Sequence, residues 1–120
     1  MELPEINESE YRLCLIIWDR EPVNSTVLVG LAREQQGWAK ATTYTVIRRL
    51  CQRGILKNEN ATVTSLVSRE QAQQARMDRL MEDTFQGNLP SFLAAFSRNR
   101  KLSKQEAQAL LDLIHGFGEE

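Results

Sequence analysis

The stretch TTYTVIRRLCQRGIL, residues 42–56, decides the fold. Gly54 lies near its end and can adopt the left-handed conformation that stops a helix. The stretch therefore predicts a helix from about Ala39 to Gly54. Its buried face has the helical spacing i, i+3, i+4, i+7 and consists of Thr43, Val46, Ile47 and Leu50.

Two shorter helices are predicted before this stretch. Asn7 and Glu10 have the spacing of a capping box for the first helix. That helix is expected to end before Pro22, because the residue preceding a proline disfavours helical geometry. Asn24 is the expected cap of the second helix, and Gly37 is expected to end it. The predicted buried face of the first helix is Tyr11, Cys14, Leu15 and Trp18, widened by Ile16 and Ile17. That of the second helix is Val27, Leu28 and Leu31.

A β-hairpin is predicted after the third helix. Residues 55–57 (Ile-Leu-Lys) begin the hairpin, residues 58–60 (Asn-Glu-Asn) read as a turn, and residues 62–67 are rich in Thr and Val and alternate as a strand does. Three short helices followed by a hairpin are typical of a winged helix-turn-helix. We therefore expect a winged-helix DNA-binding domain over residues 1–68.

The remaining residues, 69–120, predict three helices and make the fold mainly α. Ser68 with Gln71, and Ser103 with Glu106, have capping-box spacing. Three short helices enclose too little core to be stable alone, so we expect a second copy of the chain to bury their apolar faces. We predict a helical dimerisation domain and a homodimer, with the interface formed by Phe85, Leu89, Phe92, Leu93, Phe96, Leu110, Leu111 and Ile114.

The net charge does not suggest a nucleic-acid-binding protein, but the distribution of charge along the chain does. The net charge of the 120 residues is −1, yet residues 40–57 contain five basic residues and no acidic one. A polar face with hydroxyls near the start of a helix and arginines further along suits a recognition helix in the major groove of DNA. The periodicity of this helix is explained equally well by an ordinary amphipathic helix whose polar face is only solvated. The predicted DNA-binding residues are Lys40, Ala41, Thr42, Tyr44, Thr45, Arg48, Arg49, Gln52 and Lys57.

Little in the sequence predicts catalysis or metal binding. Cys14 and Cys51 are interpreted as reduced thiols within apolar helical patterns, and His115 stands far from both. There is no Gly-rich phosphate loop and no nucleophile–base arrangement. No apolar run approaches the ~20 residues of a membrane span, and the N-terminus has no export pattern. We expect a cytoplasmic, non-enzymatic protein without cofactor, metal or membrane insertion.

Several segments together resemble the penicillinase-repressor family, whose usual members are called BlaI, MecI and CopY. They are IIWD (16–19), Trp38, TTYTVIRRLCQRGIL (42–56), LVSREQAQ (66–73), FLAAF (92–96) and LSKQEAQAL (102–110). The resemblance implies a homodimeric repressor whose winged helices bind an inverted-repeat operator in double-stranded DNA. In some members of this family, a membrane sensor-protease that detects β-lactams triggers a cut in the C-terminal domain, which releases the repressor from its operator. Other members respond to copper.

The chain departs from that family's pattern at three places. Its C-terminal residues lack the cysteine cluster of the copper responders, so copper sensing is not expected. The pair matching the family's Asn-Phe cleavage site is Ala95-Phe96. The hairpin contains Lys57 as its one basic residue, while Ala39, Ala41 and Tyr44 replace a capping Ser and basic residues. A different operator is therefore expected.

Two functional hypotheses follow. The leading one is a sequence-specific transcriptional repressor. For its release the resemblance implies a cut in the C-terminal domain, at Ala95-Phe96; the alternative is that Phe96 is a core residue and this segment never opens. The alternative is a helical dimer that acts only through protein contacts and has a degenerate winged helix. The basic segment 40–57 favours the first. An enzyme is the third and least favoured class.

Overall fold

The computed structural model describes residues 3–98 and 101–117. It confirms the predicted mainly helical architecture and adds one strand to the predicted hairpin. The elements in chain order are α1 (Glu8–Arg20), β1 (Val23–Asn24), α2 (Ser25–Gln36), α3 (Lys40–Gln52), β2 (Leu56–Glu59), β3 (Thr62–Ser65), α4 (Arg69–Phe85), α5 (Leu89–Arg98) and α6 (Lys104–Phe117).

The chain divides into two compact units, Met1–Met77 and Asp78–Glu120. The boundary falls inside α4, whereas the sequence analysis placed the end of the winged helix at residue 68. In the part of the chain that the structure describes, no helix has the length and apolar character needed to cross a bilayer.

Local hydrogen bonds fix where the predicted helices begin. At α1, the Asn7 side chain accepts from the Glu10 backbone N–H at 2.9 Å, and the Glu10 carboxylate accepts from the Asn7 N–H at 3.0 Å. Such reciprocal bonds satisfy amides that have no partner within the helix. The same geometry confirms the other two predicted capping boxes, Ser68 with Gln71 and Ser103 with Glu106.

The core of the first unit lies between α1, α2, α3 and the sheet. The predicted face of α3 is confirmed, since Thr43, Val46, Ile47 and Leu50 are all buried. The predicted faces of α1 and α2 were partly wrong. In α1 the predicted Cys14, Ile16 and Ile17 are buried, but Tyr11, Leu15 and Trp18 are only half-buried, and the buried Leu13 was not predicted. In α2, Leu28 is buried but Val27 is 53% exposed.

The sheet has three antiparallel strands in the order β1–β3–β2. The predicted turn at residues 58–60 was partly wrong, because Asn58 and Glu59 belong to β2. The turn residues are Asn60 and Ala61, whose φ angles of 51° and 62° are both positive, as a two-residue type I′ hairpin requires. The strand β1 was not predicted, since two residues are too few to show alternation.

The second unit lacks a buried core among its described residues. Phe92 contacts Phe85 edge-on at 5.5 Å between ring centroids and lies 6.2 Å from Phe96. Leu111 and Leu113 are about half exposed, at 49% and 55%. Among residues 73–98, 101–113, 115 and 116, none is buried. The described apolar side chains of this unit are therefore only partly removed from water.

Candidate DNA interface

The candidate site is the outer face of α3. The buried face anchors this helix on the core of the first unit, so the opposite side chains point away from it. The structure thus brings the predicted α3 residues together on one surface, and it places Lys57 on the neighbouring strand β2. Tyr44 is half-buried, and the exposed members of the predicted set are Lys40, Ala41, Thr42, Thr45, Arg48, Arg49, Gln52 and Lys57.

The first turn of α3 has no side-chain cap. Its N-cap residue is Ala39, which makes no capping hydrogen bond. Backbone amides at a helix start without intrahelical partners attract anions, and the helix dipole adds to that attraction. Thr45 donates its hydroxyl to the Ala41 carbonyl at 2.9 Å, so its methyl group and the oxygen lone pairs remain for an outside partner. The start of the helix is therefore suited to an anionic or hydrogen-bonding ligand.

One of the five basic residues in segment 40–57 is used by the fold itself. The Arg53 guanidinium lies 2.6 Å from the Glu10 carboxylate, which is 2% exposed. Arg53 also donates to the Glu5 carbonyl at 2.8 Å. Burial acts to raise the pKa of Glu10, but hydrogen bonds from Arg53 and Asn7, with the nearby positive charges, hold that pKa below its ordinary value. Arg53 thus joins the end of α3 to the start of α1.

A second basic residue, Lys57, is paired on the hairpin. Its ammonium lies 2.7 Å from the Glu59 carboxylate, and both side chains are exposed. Within residues 3–98 and 101–117, Lys40, Arg48 and Arg49 form no ion pair. Arg49 lies on the side of α3 towards Glu10, whose pKa it helps to lower. Within segment 40–57, the positive charge available to a partner is therefore concentrated on α3.

A groove runs beside this helix, between α3 and β2. Its cavity volume is about 290 Å³, and its lining is Tyr44, Ile47, Arg48, Cys51 and Asn58. Sequence reasoning missed Asn58, because residues 58–60 were assigned to the turn. The missed signal was the preference of Asn60 for positive φ, which moves the turn along the chain and leaves Asn58 in the strand.

The two cysteines differ in accessibility. Cys14 is fully buried, and burial is the main cause that raises its pKa to about 12. Cys51 is half-buried, and burial raises its pKa as well. Both thiols are free. In the described part of the chain, His, Cys, Asp and Glu form no cluster of three or more that could hold a metal ion.

The predicted dimerisation residues occupy α4, α5 and α6. Leu89, Phe96 and Leu111 are exposed, at 50%, 40% and 49%. Ala95 is half-buried, and with Phe96 it lies inside α5 rather than in a loop. The side chain of Ile114 falls outside the described residues. The half-buried members of the set are Phe85, Phe92, Leu93 and Leu110.

Comparison with known proteins identifies the family. The sequence model of the penicillinase repressor family matches residues 6–116, which is most of the chain. The chain belongs to the penicillinase repressor family. Membership confirms the resemblance predicted from the segments 16–19, 42–56 and 92–96, and the family is one of repressors rather than of enzymes.

Relatives of this penicillinase repressor family member include a curated protein and two solved structures. An uncharacterised 16.5 kDa protein of Latilactobacillus sakei, from the ptsI 3′ region, is 33% identical over 84 residues. That match covers 63% of this chain, and the chain spans only 58% of the relative's length.

The two structures share the fold. BlaI of Bacillus licheniformis, in monomeric form with the blaP half-operator, has a TM-score of 0.52 at 20% identity, covering 58% of this chain and 90% of that one. MarR of Staphylococcus aureus, with salicylate and kanamycin, has a TM-score of 0.51 at 12% identity, covering 95% and 72%. These likenesses confirm the predicted winged-helix architecture.

Proposed function

We propose that the chain is a homodimeric, sequence-specific transcriptional repressor that binds an inverted-repeat operator in double-stranded DNA. It would act in the cytoplasm and need no cofactor. The observation that supports this best is the outer face of α3, where exposed hydroxyl and guanidinium groups stand on a helix anchored by a buried face. Family membership and the fold shared with BlaI, solved on its half-operator, support the same conclusion.

In this proposal α3 enters the major groove. Arginine can bind guanine with two hydrogen bonds, and a threonine methyl can contact the methyl group of thymine. Thr42 and Thr45 lie in the first half of the helix, where recognition helices usually meet base edges. Arg48 and Arg49, which form no ion pair with any residue that the structure describes, supply charge in the second half. Lys57 is the predicted residue that the geometry supports least, because Glu59 neutralises it.

The experiment selects duplexes from a pool with a randomised central region, and it measures binding of the recovered duplex at several salt concentrations. We expect an inverted repeat with half-sites about 34 Å apart or a multiple of that. The Arg48→Ala, Arg49→Ala variant should bind more weakly. Its salt slope should fall by roughly 0.9 for each phosphate that the variant no longer neutralises.

A matched control keeps that experiment specific. The Arg98→Ala, Lys101→Ala variant removes the same charge from exposed positions outside the candidate interface. Its binding should equal that of the parent. Equal affinity of the parent and the Arg48, Arg49 variant would overturn the assignment of α3. It would favour the alternative of a helical dimer that acts only through protein contacts.

Dimerisation is proposed from the apolar surface of the second unit. Leu89, Phe96 and Leu111 are each at least 40% exposed, and burying them against a second copy would remove apolar area from water at about 25 cal/mol per Å². Two recognition helices held together bind two half-sites at once, which multiplies affinity. Sedimentation that finds a monomer at tens of micromolar would overturn this part of the proposal.

Release by proteolysis at Ala95-Phe96, through a membrane sensor-protease, extends the proposal. A cut there would separate the residues of α5 from those of α6 and so weaken the dimer. Proteases favour exposed loops, whereas this pair lies inside α5, so the helix must first open locally. Mass spectrometry of the chain from cells treated with a β-lactam tests it. An intact chain under derepressing conditions would refute cleavage and leave the DNA proposal standing.

A further inference from the structure

The groove between α3 and β2 is built from one stripe of the helix and one strand residue. Tyr44, Ile47, Arg48 and Cys51 have the spacing i, i+3, i+4, i+7, and Asn58 faces them from β2. Ile47 is 2% exposed and forms an apolar floor. Tyr44 and Cys51 are half-buried against the core. The lining is therefore held by the packing of the first unit.

Strand geometry explains why Asn58 rather than Lys57 faces α3. Successive side chains of a strand point to opposite faces of the sheet. Leu56 is 2% exposed and points into the core, so Asn58 lies on the same face. Asn58 is also paired in register with Val63, which is fully buried. Lys57 and Glu59 lie on the other face, where they pair with each other.

The polar groups of the groove suit one kind of ligand. Arg48 offers a guanidinium, Tyr44 a hydroxyl and Asn58 an amide NH₂, all of which can donate hydrogen bonds. None of the five lining residues is acidic. A guanidinium binds phosphate oxygens strongly, often through two parallel bonds. The groove is thus complementary to an anion with several acceptor oxygens, and it opens beside the proposed recognition helix.

We infer that this groove binds a phosphodiester of the DNA backbone, and that Asn58 is the contact supplied by the hairpin. The inference rests on the proposed function and assigns roles within its site. Contacts to phosphate set the register of a protein on the duplex and do not read its sequence. Arg48, Tyr44 and Asn58 therefore position the helix, while base reading falls to the first half of α3.

The first test compares hairpin variants on two duplexes, the one selected by the parent and a shuffled duplex of equal length. We expect Asn58→Ala to weaken binding to both duplexes by about the same factor, roughly tenfold, because the variant cannot donate a hydrogen bond to the charged phosphate. The salt slope should not change, since asparagine is neutral. Arg48→Ala should lower the slope by about 0.9. Asn58→Ala should also weaken binding more than Lys57→Ala does.

Thr62→Ala is the matched control for Asn58→Ala. Thr62 is an exposed polar residue of the same hairpin and is paired in register with Glu59, so it lies on the face away from the groove. This variant should bind both duplexes as the parent does. Parent-like binding by Asn58→Ala would overturn the inference, as would a loss confined to the selected duplex. If the parent binds no duplex, the proposed function fails as well.

The second test uses Cys51 as a reporter inside the groove. The thiolate is the reactive form, so alkylation by N-ethylmaleimide is followed by mass spectrometry of the full chain above neutral pH. Cys14 is fully buried and should stay unmodified. Saturating duplex DNA should slow the alkylation of Cys51 several-fold, and the same concentration of inorganic phosphate should not. An unchanged rate with bound duplex would overturn the inference; equal protection by phosphate would assign the groove to free phosphate instead.

Discussion

Replacing Arg53 by alanine tests how the end of α3 is held. The substitution removes an ion pair with Glu10 at 2.6 Å and a hydrogen bond to the Glu5 carbonyl at 2.8 Å. The Glu10 carboxylate, 2% exposed in the parent, then loses its cation. It would retain the hydrogen bond from the Asn7 N–H, which satisfies one oxygen. The variant should therefore have a lower free energy of unfolding at neutral pH.

The size of the loss follows from burial. Breaking a buried ion pair typically costs about 3–5 kcal/mol. Arg53 is itself 35% exposed, so part of the interaction is screened by water and we expect about 2–3 kcal/mol. A domain of this size shifts its Tm by roughly 4–8 °C for each kcal/mol, so the expected fall is about 10–20 °C. That is a large fraction of a typical domain stability.

Urea and thermal unfolding, followed by circular dichroism at neutral pH, measure this effect. The variant Glu10→Gln, Arg53→Ala should be more stable than Arg53→Ala, because no charge is then buried alone. Arg12→Ala serves as the control, since the pair of Arg12 with Glu8 is exposed on both sides and should contribute little. A loss below about 1 kcal/mol for Arg53→Ala would refute the reasoning.

The same variant should respond to acid differently from the parent. The pKa of Glu10 in the folded parent is below its ordinary value of 4.5. Its ionised form therefore adds stability above that value, and this stability is lost as the pH falls through the folded pKa. Without Arg53 the main cause that lowers this pKa is gone while burial still acts to raise it, so Glu10 should take up its proton at a higher pH in the variant than in the parent. The stability difference should shrink below about pH 4.5; a constant difference would contradict this account.

Three further predictions concern other parts of the chain. Trp18→Phe removes the hydrogen bond from the indole N–H to the Val67 carbonyl at 2.9 Å and should cost about 1 kcal/mol in urea unfolding. Gly54→Ala should destabilise the fold by about 1–2 kcal/mol, because φ is +77° at this position. Gly30→Ala, inside α2, should stabilise it by about 0.5–1 kcal/mol. Neither new Cβ meets an atom within 4 Å, so equal effects of the two substitutions would refute the argument from backbone conformation. A chain truncated after Met77 should sediment as a monomer and bind DNA weakly, and a dimer of that fragment would place the interface in the first unit.

Helix positions could be predicted because their signals are local. The capping boxes at Asn7, Ser68 and Ser103 each join residues three apart, so the sequence itself contains both partners. The apolar face of α3 follows directly from its spacing. The prediction for Val27 was wrong, because its spacing fits a buried face but the sequence does not say how far the core extends over α2.

The candidate site was predicted in part. The sequence indicated the residues of α3 that form its outer face, since a helix with one buried side must expose the other. It could not show which charges in segment 40–57 are free. That depends on Arg53 reaching the Glu5 carbonyl, 48 residues away, and on Glu59 lying beside Lys57 in a strand whose bounds the predicted turn misplaced.

The sequence by itself thus determined the helices, their caps and the basic face, because those features arise from contacts within a few residues. The tertiary structure decided three things: that Arg53 is tied to Glu10, that Val23 pairs with Val63 to add β1 to the sheet, and that Asn58 faces α3. The first two depend on segments far apart in the chain meeting at a defined distance and orientation, and the third depends on the register of the hairpin beside α3. That meeting is set by how the whole core packs, and no local pattern specifies it.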